Sequence, residues 1–314
     1  PYLSKIRKKY KVYFAFLLKL DNNIRPTGLA ALGNKDITNL MMSLTPLQKH
    51  FHRYLTVGGF PELALSKDDF YAQRMLREDV VDKVLKRDIP SLFNIRNAAV
   101  LEKVFLYLCF NSSGIINITT MSKELANTPA ATVSNYIQFL ERANLIYISE
   151  LVNLDGKKAL KAKPKIYIAD AAIRNAVLML DNLLTNPEEM GIVVETSVYK
   201  HLAAFYYRAN TRVGYYRRTG GHEKEIDVVV EYPQGKILTE VKYRETAVIT
   251  EEDAIIERIR DKKSGVTAAI VVTKKPEDYG IVSIRTTVPV MKIPAHAFLY
   301  LLGHAEKTGC LGLR

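Results

Sequence analysis

The stretch EIDVVVEYPQGKILTEVKYRE, residues 225–245, constrains the fold of this chain more than any other. Val228, Val229 and Val230 form a β-branched run, Pro233-Gln234-Gly235 makes a turn, and Ile237 to Val241 resumes strand character. The expectation is a hairpin. Glu240 and Lys242 lie two residues apart on its second strand and project from one face. Pairing brings Asp227 of the first strand toward that face. Two carboxylates held close repel each other unless a cation lies between them, and a hard divalent ion with oxygen ligands, Mg²⁺ or Mn²⁺, meets that need.

An upstream segment, GIVVETSVYKHLAAFYYRA (191–209), carries Glu195 and repeats Val194, Val198, Leu202 and Phe205 at three- and four-residue steps. That spacing predicts an amphipathic helix. A helix with Glu, a strand with Asp and a strand with Glu-x-Lys is the order of the PD-(D/E)xK nuclease core. The competing reading of the same residues is a solvated hairpin with ordinary surface charges. Further strands are expected near 213–217, 268–273 and 288–293, with a helix over 251–260. Residues 186–314 thus read as a restriction-endonuclease-like mixed sheet flanked by helices, bounded by the break at Asn186-Pro187.

Other motifs accompany this core in a fixed order: YLTVGGFPELAL (54–65), VLKRDIPSLFNI (84–95), TVSNYIQFLERANLIY (132–147), PKIYIADAAIRNAV (164–177), GIVVETSVYKHL (191–202), YYRRTGGHEKEIDVVV (215–230) and ILTEVK (237–242). On these residues the chain resembles the C-terminal region of prokaryotic AAA-type (P-loop) ATPases. There the ATPase core is followed by a winged helix and a PD-(D/E)xK nuclease-like domain of unknown function. The resemblance implies a catalytic set of Glu195, Asp227, Glu240 and Lys242. Asp227 and Glu240 would ligate Mg²⁺ or Mn²⁺, Glu195 would hold a second ion or orient a metal water, and Lys242 would position the attacking water. No G-x-x-x-x-G-K-[Ser/Thr] loop occurs in the sequence, so ATP binding is not supported by these residues. The chain is expected to be a piece, or a shortened relative, without the ATPase core, serving such a core in trans or self-associating.

The whole chain is predicted to be multi-domain α/β, its 314 residues being enough for two or three cores. Residues 1–92 read as mainly helical, with Gly58-Gly59-Phe60-Pro61 stopping a helix at Val57. Residues 93–185 suit a winged helix-turn-helix. Its helices are expected near 101–109, 121–126 and 131–142, and its wing strands near 146–151 and 165–169. Between those strands lies a lysine-rich wing with Lys157, Lys158, Lys161, Lys163 and Lys165. The third helix offers Thr132, Asn135 and Gln138 but few charges, so it is a poor reader of base edges. The wing suits a sequence-indifferent grip on DNA phosphates, and the module equally suits packing against protein. Arg217 and Arg218 are further phosphate contacts. His50-x-His52 points its rings apart on a helix, against a metal site, and His222 reads as an exposed loop residue.

A net charge of +12 favours a polyanionic partner or simple solubility. The two cysteines, Cys109 and Cys310, are far apart and fit a reducing cytosol, so a cytoplasmic location is expected. The apolar run after the basic N-terminal residues spans only Val12 to Leu18, too short to cross a bilayer, and no membrane partner is expected. Two functions follow: Mg²⁺-dependent phosphodiester hydrolysis on DNA, or a non-catalytic DNA-binding or regulatory module.

Overall fold

The computed structural model describes residues 34–66, 68–95, 97–152, 162–207, 210–218 and 224–308. The described chain divides into two compact units. The first takes residues 53–150 and 162–197, the second residues 34–52, 151–152 and 198–308.

In chain order, α1 (Asn34–Leu44) belongs to the second unit, and α2 (Gln48–Val57) leads from it into the first. There follow α3 (Pro61–Leu65), α4 (Asp69–Met75), two π-helical runs (Leu76–Asp82 and Val84–Asp88) and α5 (Ile89–Phe93). The wider π turn sets Leu76 and Val81, five residues apart, on the same buried face. Next come α6 (Ala98–Phe110), β1 (Gly114–Ile115), α7 (Ile118–Glu124), α8 (Ala130–Arg142), β2 (Ile146–Leu151), β3 (Lys165–Ile168) and α9 (Ala171–Leu178). The strands form an antiparallel sheet with β3 in the middle, registered by Gly114↔Ile166 and Ile146↔Ile168. Helix α7 starts earlier than expected because the Asn117 side chain caps it, accepting from Thr119 N at 3.1 Å. It stops at Glu124, and Ala126 and Asn127 then turn left-handed.

Val57, Leu63, Leu76, Leu85 and Ile89 share one core with Leu101, Phe105, Leu108, Leu140, Ile166 and Ile173. The boundary expected near residue 92 therefore does not separate two cores. Two buried polar side chains fix this arrangement. Arg174, only 2% exposed, donates Nε to the Cys109 carbonyl at 2.9 Å and ion-pairs with Glu189. Asn175 Nδ2 donates to the Leu55 carbonyl at 2.9 Å.

The Gly58-Gly59 turn does more than end α2. Asp170 caps α9 by accepting from Ala172 N at 3.0 Å, and its other oxygen accepts from Gly59 N at 3.2 Å. Gly58 has φ +79°, and a Cβ there would lie 2.7 Å from Asp170 Oδ1. Only glycine both takes this conformation and leaves room for the carboxylate. Gly58→Ala is expected to cost about 1–3 kcal/mol, from a strained φ and a displaced cap. A thermal melt within a degree of the parent would show that the turn yields freely.

The second unit opens from α10 (Pro187–Phe205), whose first part lies in the first unit. Asn186 caps it through Glu188 N at 3.0 Å, with Pro187 at the first helical position, where its missing N–H costs nothing. Then come β4 (Arg212–Arg217), β5 (Glu225–Tyr232), β6 (Gly235–Lys242), α11 (Ala254–Arg260), β7 (Val266–Thr273), β8 (Gly280–Ile281), β9 (Val290–Pro294) and α12 (Ala295–Thr308). The sheet order is β4-β5-β6-β7-β9-β8. Its first two pairings are antiparallel, β6-β7 and β7-β9 are parallel, and β8-β9 is antiparallel. Helix α11 makes the crossover between parallel β6 and β7, as such pairs require. Its Ile255, Ile256 and Ile259 pack on Ile226, Leu238, Ala269 and Val271. No helix among the described residues is long and apolar enough to cross a membrane.

Candidate functional site

The predicted hairpin is β5-β6, with its turn between Tyr232 and Gly235. The β5-β6 ladder ends at Val228↔Thr239, so Asp227 and Glu240 are the residues just beyond its last pair. A β-bulge falls at this point. From Gly214↔Val229 to Tyr216↔Ile226, three steps of β5 match two of β4, so the extra residue lies at Asp227–Val228. Bulges re-aim side chains and end pairing. Here Asp227 Oδ2 accepts from Val241 N at 2.8 Å, taking the place of a backbone partner where the ladder stops.

Lys242 follows on the face of β6 that carries Leu238 and Glu240. Its ammonium stands 3.9 Å from Glu240 Oε1 and 2.7 Å from Asp253 Oδ1. Asp253 in turn accepts from Thr250 N at 2.6 Å and Thr250 Oγ1 at 3.0 Å. Burial opposes its ionisation, but the hydrogen bonds from Lys242 and Thr250 outweigh it and hold the carboxyl below its usual range. Sequence reasoning missed Asp253. The signal was present: Asp253 directly before the apolar run AIIERI is an N-cap candidate, which places a carboxylate at a helix start.

Glu195 belongs to the first unit. Its Oε1 is 2.7 Å from Lys165 Nζ and accepts from Tyr167 OH at 2.8 Å. Lys165 and Tyr167 are two apart on β3 and so share a face. This corrects the expectation for Lys165: with its side chain 3% exposed and ion-paired, it is not presented to a phosphate backbone. Lys163 is exposed, while Lys157, Lys158 and Lys161 lie outside the described residues, as do His222 and Cys310. Arg217 is half-buried on β4, and exposed Arg218 lies 3.3 Å from Glu257. Cys109 is buried, which pushes its thiol pKa far up, away from reactivity at neutral pH.

Among the described residues no group of three or more His, Cys, Asp or Glu is placed to hold a metal ion. Mg²⁺ does not need one. It keeps several waters and binds through one or two carboxylates plus substrate phosphates. Asp227 and Glu240, hard oxygen donors just beyond the last pair of the ladder, fit that donor set.

The geometry defines a mixed α/β protein with an acidic strand-end cluster on β5-β6. Comparisons with known proteins match two parts of the chain. Residues 48–184 match a family model described as a domain of unknown function (DUF8612). Residues 190–293 match another, a domain of unknown function (DUF4143), which is often found in C-terminal regions associated with AAA-type ATPases. An uncharacterized protein of Haemophilus influenzae is 26% identical over 132 residues, 41% of this chain and 32% of its own. The uncharacterized protein MJ1544 of Methanocaldococcus jannaschii is 25% identical over 245 residues, 76% of this chain and 52% of its own. The chain thus spans about a third and about half of these relatives' lengths. The crystal structure of protein VC1899 from Vibrio cholerae aligns over 76% of this chain and 56% of its own at 15% identity, with a TM-score of 0.27, too low to argue a common fold.

Proposed function

We propose that the second unit is a nuclease-like module of the PD-(D/E)xK type that hydrolyses DNA phosphodiesters with Mg²⁺ or Mn²⁺. The first unit would carry a winged helix, and the whole would work beside an AAA-type ATPase core. The observation that carries this reading is Asp227, bonded to Val241 N where the ladder stops, with Glu240 and Lys242 on either side of Val241. Asp227 and Glu240 would hold the ion, which would supply Lewis-acid stabilisation of charge on the phosphoryl oxygens. Lys242 is a donor fixed beside Glu240, suited to orient an attacking water and hold its proton balance. Asp253 keeps that ammonium in place. The helix–strand–helix–helix–strand–strand order of residues 98–168 supports the winged-helix reading, and the net charge of +12 supports a polyanionic partner.

A second reading is a non-catalytic DNA-binding or regulatory module. The Lys242–Asp253 ion pair favours it, because it gives the lysine a structural partner.

The test uses Asp227→Asn rather than alanine, since asparagine keeps an acceptor for Val241 N–H. Wild type is expected to take up Mn²⁺ at millimolar concentration by calorimetry, and Asp227→Asn and Glu240→Gln are expected to lose that uptake. Lys242→Met is expected to keep Mn²⁺ yet nick plasmid or junction DNA about 10²-fold more slowly, the usual scale for losing a positioned acid–base or electrostatic group. No Mn²⁺ uptake by wild type would remove the hydrolase. Uptake without cleavage of any DNA would leave the regulatory module.

A further inference from the structure

Just before the start of β5, upstream of Asp227, lies an open cleft of ≈ 300 Å³. Its charged walls are Arg218, Lys224 and Arg258 against Glu257 and Asp261, with Tyr216 also lining it. Cations outnumber carboxylates, so the empty cleft holds a local positive excess. Arg258 is fixed in place, over the Tyr216 ring at 5.0 Å and 2.9 Å from Asp261. The other two cations share one counter-ion. Lys224 donates to Glu257 Oε1, and Arg218 Nη1 lies 3.3 Å from Glu257 Oε2. Glu257 itself is held acidic first by the Lys224 hydrogen bond, against a smaller effect of burial, and then by the charges of Lys224 and Arg218. One carboxylate thus bridges an arginine fork and a lysine, the pair of donors that otherwise recognises a phosphodiester.

We propose that this cleft binds a backbone phosphate of a nucleic-acid strand, with Glu257 as the internal anion that the phosphate displaces. The inference rests on the reading of this unit as a nucleic-acid-acting module and names where the strand runs. The Arg218 side chain is 56% exposed and that of Lys224 25%, so both reach solvent. Lys224 precedes Asp227 by three residues, about 10 Å along a strand. Such a contact would orient the strand across the Asp227–Glu240 end of the sheet without reading its sequence.

The experiment measures fluorescence anisotropy of a short labelled single-stranded DNA against the full chain in EDTA, across a salt series. Arg218→Gln/Lys224→Gln is expected to weaken binding about tenfold and to lower the slope of log K against log salt by about 1.4, at about 0.7 per lost single-strand contact. Glu257→Gln is expected to tighten binding about threefold, because the competing anion is gone. A merely structural Glu257 would give no tightening. Both shifts together support the cleft, and the absence of either overturns it. Thermal melts check that each variant is folded, and Arg218→Gln alone, at an exposed side chain, replaces the double variant if that one unfolds. The assay contains no metal and reads binding only. Both shifts in a protein that never cleaves DNA would keep the cleft and remove the hydrolase, whereas unchanged binding with active cleavage would do the reverse.

Discussion

Arg174→Ala is expected to remove about 3–5 kcal/mol from the stability of the first unit, the scale for breaking a buried charge pair by truncating one partner. Arg174 is among the largest fully buried side chains, and its stem packs inside the unit. Alanine would leave a cavity and deprive the Cys109 carbonyl of its Nε donor, a group that water cannot reach without opening α6. Glu189, with its side chain 22% exposed, can recruit water and suffers less. Arg174→Met restores most of the stem volume but no donor, so it is expected to fall between wild type and alanine. Urea unfolding followed by circular dichroism checks the order. A loss below about 1 kcal/mol for alanine would mean that the unit closes over the gap and that Arg174 is not central to it.

Acid is expected to weaken the second unit well before its carboxylates protonate. His296, 2% exposed at the start of α12, has its pKa depressed to about 4, first by burial and then by the neighbouring His52. His52 is lowered too, by burial and by Lys274, and its Nε2 lies 3.4 Å from Tyr243 OH. The Tyr243 hydroxyl, raised to about 12 by burial and by Glu245, stays neutral throughout this range. A histidine with a lowered folded pKa is neutral in the folded protein while its unfolded form takes a proton. Stability is therefore full above about pH 6.5 and is lost as pH falls toward 4, at up to about 1.4 kcal/mol per pH unit and about 3 kcal/mol in all. His296→Gln is expected to flatten most of this slope in denaturant unfolding between pH 7 and 4.5, with His52 leaving a smaller remainder. Equal slopes for the two proteins would refute the assignment. Asp253, whose folded pKa is depressed, acts at lower pH: its contribution holds above its unfolded value and is lost as pH falls through the folded one.

Much of this architecture was legible in the sequence because its signals are local. The β-branched run at 228–230 and the Pro-Gln-Gly turn predict β5 and β6 to within a residue or two, and the apolar steps from Val194 to Phe205 predict α10. Alternation also put Glu240 and Lys242 on one face. What local pattern does not carry is how distant segments meet. The Lys165–Glu195 pair joins β3 to α10, so each residue read alone as available for a ligand. The bulge at Asp227 depends on the register against β4, which no residue of the hairpin encodes. Asp253 was hidden differently: it fell inside the helix expected over 251–260, and its bond to Lys242 exists only once α11 packs beside β6. The GGFP turn likewise looked like a helix stop until Asp170 was found beneath it.

The Gly59–Asp170 bond spans 111 residues of chain, and it has a consequence for the order in which the protein is made. The middle strand of the first sheet, β3, and the cap that receives the GGFP turn both emerge after the helices they complete. At about 5–20 residues per second of synthesis, α2 waits roughly 6–22 s for its partners to leave the ribosome. During that interval Val57, Leu63 and Leu76 have no finished core to enter. A nascent chain arrested before residue 165 should therefore stay open to protease and chaperone, and one released past α9 should close in a single step.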